Sequence, residues 1–250
     1  MKGVAQLDVI ELVAAGFVAQ LIDGALGMAY GITCSSLLLT FGYSPLSASA
    51  AVHMAEVVTS GVSGHFHWRF GNVDSLLFRR LLWPGIAGGV LGAYGLSRLP
   101  AERLTPWVAL YLFAMGARII FKAIGSRAAS RPEPRRIEGI GFAGGLFDAL
   151  GGGGWGPIVT ASLVGSGHDP RMAIGTANRA EFFVTVAQSA TFIAAAGMGG
   201  WRTAAALCVG GVLAAPLAAH AARRLDPKRL MLIVGLVVAI LSLRTLWLSL

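Results

Sequence analysis

No polar stretch in this sequence is long enough to fold as a soluble domain. Only 13% of the 250 residues are charged, and twelve acidic residues stand against twenty Lys and Arg. The longest polar run, from Lys122 to Glu138, has the length of a connector. Cysteine is nearly absent. Cys34 and Cys208 both fall in apolar segments, and neither a disulfide framework nor a metal-ligand spacing follows from them. A Gly-x-x-x-x-Gly-Lys-Ser/Thr run is missing, which argues against nucleotide-driven pumping. Gly61-Val-Ser-Gly64 lacks the spacing of a nucleophile elbow. With no nucleophile or metal constellation, the chain reads as a non-enzyme with no cofactor and no metal. Met1–Ile10 lacks a basic region followed by an apolar core, and Asp8 and Glu11 interrupt it, so no cleavable signal is expected there. The net charge of +8 is not read as a nucleic-acid footprint, because Lys and Arg fall mostly in short loops, where they orient membrane helices.

Apolar sequence is what the chain does have. Hydrophobic residues make up 55% and the mean hydropathy is +0.69. Crossing about 30 Å of hydrocarbon takes about 20 apolar residues. Eight such elements are predicted, at 8–41, 45–66, 76–97, 104–122, 139–166, 170–196, 203–222 and 228–249. The fold class is an all-α polytopic protein of the cytoplasmic membrane, with the lipid bilayer as its first partner. Trp68, Trp83, Trp107, Trp201 and Trp247 lie near segment ends and read as interface anchors.

The chain is also a tandem duplication. At an offset of 125, without a gap, Gly16 pairs with Gly141, Asp23 with Asp148, Gly31 with Gly156, Pro45 with Pro170, Glu56 with Glu181 and Gly85 with Gly210. Residues 1–125 form the first repeat and 126–250 the second. Lys122, Arg127, Arg131, Arg135 and Arg136 place the central connector in the cytoplasm, and Arg223, Arg224, Lys228 and Arg229 form a second basic cluster. Both clusters face the same side if the first and fifth elements dip in and return. Each repeat then crosses three times, which makes the repeats inverted.

The first and fifth elements are too rich in glycine to be plain helices. One carries Asp23-Gly-Ala-Leu-Gly-Met-Ala-Tyr-Gly31, the other Asp148-Ala-Leu-Gly-Gly-Gly-Gly-Trp-Gly156 followed by Pro157. Each glycine costs about 1 kcal/mol in a helix relative to alanine, and Gly151 to Gly154 come in a row. Pro157 suits the first position of a new half-helix. Irregular backbone at membrane depth is tolerated where it is buried in protein or lines a cavity. A restarting half-helix turns free N–H groups and positive potential into that cavity, which suits an anion. Ser44-Pro45, Asp169-Pro170, Thr105-Pro106 and Asp226-Pro227 read as caps that start the second, sixth, fourth and eighth elements.

Polar side chains at membrane depth are expensive and point to function. His53 and Glu56 share a face of the second element, and Asn178 and Glu181 share the matching face of the sixth. Arg179 reads as the one deep cation, able to grip an oxyanion through several donors. The candidate substrate site is therefore Arg179, Asn178, His53, Thr33, Gly31, Gly153, Gly154, Trp155 and Pro157. Glu56, Glu181, Asp23 and Asp148 are expected to carry protons or to order the site.

These residues carry a resemblance over nearly the whole chain. The runs at 24–31, 44–53, 151–157 and 175–181 resemble the TauE/SafE family of sulfite exporters. That resemblance implies a secondary transporter exporting a small sulfur-containing anion, sulfite or an organosulfonate. An anion channel of the same fold is the alternative, and a homodimer is left open. The inverted arrangement has a direct test. A cysteine introduced in the 223–229 loop should label from the cytoplasm in intact cells and opened vesicles. Labelling from outside would restore eight full crossings.

Overall fold

The computed structural model describes residues 7–26, 28–125, 136–221 and 226–249. Those residues are helical, with no strand among them. The first predicted element is two helices, α1 (Val9–Leu26) and α2 (Tyr30–Thr40), separated by the predicted break. Then come α3 (Pro45–Arg69), α4 (Ser75–Arg98) and α5 (Ala101–Ile124). The fifth predicted element is α6 (Ile137–Gly151), a break, a π turn at Gly156–Thr160 and α7 (Ala161–Gly165). The chain continues through α8 (Pro170–Ala196), α9 (Trp201–Ala221) and α10 (Pro227–Ser249). Arg127, Arg131, Arg135, Arg223 and Arg224 of the basic clusters lie outside the described residues, as does Gly27.

Three of the four proline caps form as expected. The Ser44 hydroxyl accepts from the Ser47 N–H, Asp169 accepts from the N–H groups of Arg171 and Met172, and Asp226 accepts from that of Lys228. Thr105-Pro106 does not begin a helix. Helix α5 starts at Ala101 after Pro100, and Pro106 sits inside it. A proline this close to a helix start removes a single ladder bond, so the helix runs through.

Helices α5 and α10 pack on each other, and their segments 103–124 and 231–249 are long and apolar enough to cross a membrane unaided. Their outer faces expose Trp107, Phe121, Ile240 and Trp247. The other pairings interlock the two halves of the chain. Helix α1 packs on α9, α6 on α4, and α3 on α8. The first two contacts are made by glycine. A Cβ at Gly145 would strike the Gly85 carbonyl, one at Gly88 the Phe142 carbonyl, and one at Gly16 the Leu207 carbonyl. Small residues let membrane helices approach this closely, since lipid gives no hydrophobic drive to associate.

Helices α3 and α8 run antiparallel. The His53 and Phe192 rings lie 5.8 Å apart, Gly61 meets Phe182, and Gly64 meets the Arg179 backbone. One end of the molecule thus gathers the C-terminus of α3 and the N-termini of α4, α6 and α8. Asp74 N donates to Thr176 Oγ1 at 2.9 Å, and Arg80 grips Glu138 at 2.5 and 2.9 Å. The prediction here concerns packing. Gly145→Leu should cost at least about 2 kcal/mol through overpacking. Gly95→Leu, where an added Cβ meets nothing within 4 Å, should be near neutral. Thermal unfolding in detergent checks both, and equal melting temperatures would remove α4–α6 packing as the cause.

Candidate functional site: a cavity between two crossing helix breaks

Both breaks are closed by an aspartate six residues upstream. Asp23 Oδ1 accepts from the Ala29 N–H at 2.7 Å and the Tyr30 N–H at 3.2 Å. Asp148 Oδ1 accepts from the Gly154 N–H at 2.8 Å and the Trp155 N–H at 3.0 Å. The carboxylates cap the restarting helices from the end of the preceding one and satisfy donors that a helix start leaves free. Part of the positive potential expected for an anion is therefore taken by the chain itself.

The two breaks cross at Gly31 and Gly153. A Cβ on Gly153 would run into the backbone of Gly31 and Ile32, and one on Gly31 into Gly153 and Glu56. Gly152 and Gly153 have φ of 68° and 148°, a region that glycine alone enters freely. Here the glycines serve backbone crossing as well as access. The carbonyls freed by the second break are bonded inside the protein. Ser49 Oγ donates to Ala149 O at 2.6 Å, Ser35 Oγ donates to Gly152 O, and Tyr111 Oη donates to Gly153 O at 3.4 Å.

On one side of the crossing lies a small cavity, of about 30 Å³. The start of α2 and the π turn line it, with Thr59, Ser60 and Ser63 from the C-terminal half of α3 and Asn178 and Glu181 from the N-terminal half of α8. It therefore lies toward the end that gathers the N-termini of α4, α6 and α8. Among the described residues that line it are four carboxylates, those of Asp23, Glu56, Asp148 and Glu181, and no Lys, Arg or His. Glu56 is 5% exposed, and its Oε2 has no partner among the described residues.

The other side of the crossing is closed. His53 is fully buried, with Nε2 3.1 Å from Asp148 Oδ2, and Gln188 Nε2 donates to the same oxygen at 3.0 Å. The positions matching His53 and Gln188 are Asn178 and Ser63. Those two bond each other at 2.8 Å, and Asp23 receives only its two backbone bonds among the described residues.

The cavity thus brings together Gly31, Gly153, Gly154, Trp155, Pro157, Asn178, Glu56, Glu181, Asp23 and Asp148 of the sequence-derived site. His53 and Thr33 are not among its lining residues, and the Thr33 hydroxyl is buried with no partner among the described residues. Trp155 is fully buried, its indole N–H bonded to Ala177 O at 3.0 Å and its ring set against Gly85. Arg179 also lies outside the lining. Its guanidinium sits over the rings of Trp68 and Phe183, 5.4 Å from each centroid.

Two cations approach the cavity from α5: Arg118, which the sequence analysis does not single out, and Lys122, read there only as part of the cytoplasmic connector. Arg118 Nε donates to Pro157 O at 3.1 Å and Nη2 to Ser162 Oγ at 3.3 Å, while Lys122 Nζ lies 3.9 Å from Met28 Sδ. The available signal was a basic pair four apart in an apolar segment, matched in the second repeat by Leu243 and Trp247.

The aspartate caps differ in what rests on them, and mutation should show it. Asp148→Ala leaves the Gly154 and Trp155 N–H groups and His53 Nε2 unpaired and takes one of the two bonds of Gln188 Nε2, and should cost about 3–5 kcal/mol. Asp23→Ala strands only two N–H groups and should cost about 1–3 kcal/mol. Thermal unfolding in detergent gives the ranking, and equal shifts would show that His53 and Gln188 contribute nothing.

Comparison with known proteins agrees with this architecture. Residues 12–245 match the family described as Sulfite exporter TauE/SafE. The chain is 40% identical over 241 residues to the Bacillus subtilis (strain 168) "Probable membrane transporter protein YtnM", covering 92% of this chain and 80% of that protein. No solved structure matches it. A glycine-broken, helix-packed membrane chain with a carboxylate-lined cavity between its breaks therefore belongs to the TauE/SafE sulfite exporter family of membrane transporters.

Proposed function

We propose that this transporter is a secondary carrier exporting a small sulfur-containing anion across the cytoplasmic membrane, sulfite first and an organosulfonate next. The observation that carries this reading is the cavity on one side of the crossing of the two breaks, with the other side filled by His53, Asp148 and Gln188. A closed side speaks for a carrier over a channel. The antiparallel run of α3 and α8, which the duplication relates, supports inverted repeats. Arg69, Arg79, Arg80, Arg136 and Arg171 cluster at the end toward which the cavity lies, which supports a cytoplasmic opening.

Substrate would sit against Gly31, Gly153, Gly154 and Asn178. Glu56 and Glu181, one from each repeat, would order the site or carry protons, because an ionised carboxylate at membrane depth needs a partner. A ligand that binds the native state raises its stability, by about 2.7 kcal/mol at a hundred times Kd. Purified protein should therefore melt higher with sulfite than with sulfate, thiosulfate, taurine or sulfoacetate, and liposomes should show saturable, trans-stimulated sulfite exchange. No shift with any of these anions would remove the substrate class, and single-channel currents would remove the carrier.

A further inference from the structure

We propose that Arg118 and Lys122 form an anion-capture site at the α5 rim of the cavity, holding a small oxyanion as it enters. The inference rests on the anion-transport reading above and says where the anion is first held.

The cavity presents an electrostatic problem. Among its described lining residues are four carboxylates and no cation, and Arg179, the expected grip, is committed to two aromatic rings. An anion approaching that lining is repelled unless positive charge stands near. Arg118 and Lys122 supply it. They are four residues apart, so they project from one face of α5. Their contacts are with residues that line the cavity, Pro157 for Arg118 and Met28 for Lys122. Those two lie close together in the lining, since a Cβ on Gly156, next to Pro157, would strike Met28.

Neither cation has a carboxylate partner among the described residues. Like charges on one helix face repel, and unpaired cations in a membrane helix are costly, so the pair calls for a counter-charge. Arg118 is oriented for that role. Nε and Nη2 are fixed to Pro157 O and Ser162 Oγ, which leaves other N–H donors of its five free. Lys122 is half-buried, and among the described residues its ammonium bonds only a thioether, so it retains donors for a ligand. A fork and a point charge one turn apart suit an oxyanion with several acceptor oxygens. The matching positions in the second repeat, Leu243 and Trp247, carry no charge, so only one repeat provides this capture.

The test is sulfite transport by the full chain in proteoliposomes, across a range of potassium chloride concentrations. For wild type, KM should rise with salt, because attraction to exposed cations is screened. Lys122→Gln and Arg118→Gln should each raise KM about tenfold at low salt, the loss of one charge-assisted contact, with maximal rate within about twofold. The double variant should lose most of the salt dependence. Arg118→Lys, which keeps charge but not the fork, should lie between wild type and Arg118→Gln.

Unchanged KM and salt dependence in Lys122→Gln would overturn the proposal. So would a fall in melting temperature and maximal rate in Arg118→Gln with KM intact, which would make Arg118 a brace for the π turn. If wild type neither moves nor binds sulfite or the sulfonates, the anion-transport reading fails first, and this site fails with it.

Discussion

Unsatisfied backbone is the constraint on which this structure depends. Hydrocarbon offers no water to a free N–H or C=O, so every interruption of a membrane helix must be repaired from within the protein. The chain interrupts two helices and repairs both by the same means. Asp23 and Asp148 reach across their breaks to the restarting N–H groups, and the carbonyls of the second break are taken by Ser49, Ser35 and Tyr111. The cavity exists because the breaks exist, and the breaks persist because these side chains close them. The aspartates belong to the architecture before they belong to any transport step.

Packing follows from the same economy of space. Two irregular segments can cross only where both lack side chains, as at Gly31 and Gly153. The helices that carry those segments must be held close, and glycines on α1, α4 and α6 permit that. The pairing of α1 with α9 and α6 with α4 takes each broken helix into the other half of the chain. Neither half of the chain holds its own cavity wall. The wall is assembled from the start of α2, the π turn, α3 and α8 together.

Much of this was legible in the sequence, and the exceptions have physical causes. A glycine run interrupts a helix whatever surrounds it, so the breaks could be read directly. Ser44, Asp169 and Asp226 cap the helices that follow them by local bonding, so those starts could be read too. Glu56 and Glu181 were read as polar groups at depth, and they do meet in the cavity. The misses concern direction and distance. Arg179 shares a helix with Asn178 and Glu181, yet its side chain leaves the cavity for two aromatic rings. His53 was read for substrate or proton relay, but it is spent on Asp148, 95 positions away, and no local pattern encodes that meeting. Arg118 and Lys122 lie near a span end, where basic residues usually snorkel to water, and their neighbours come from distant segments.

Duplication alone would leave the two faces of the crossing alike, and the chain would have no preference between opening to one side or the other. Substitution at two pairs of matching positions removes that indifference. Where one face of the crossing sets His53 and Gln188 against Asp148, the other has Asn178 and Ser63, which satisfy each other and leave Asp23 aside. Those bonds hold the His53 side closed in the described structure, and a ligand that opened that side would have to supply at least their free energy through its own contacts there.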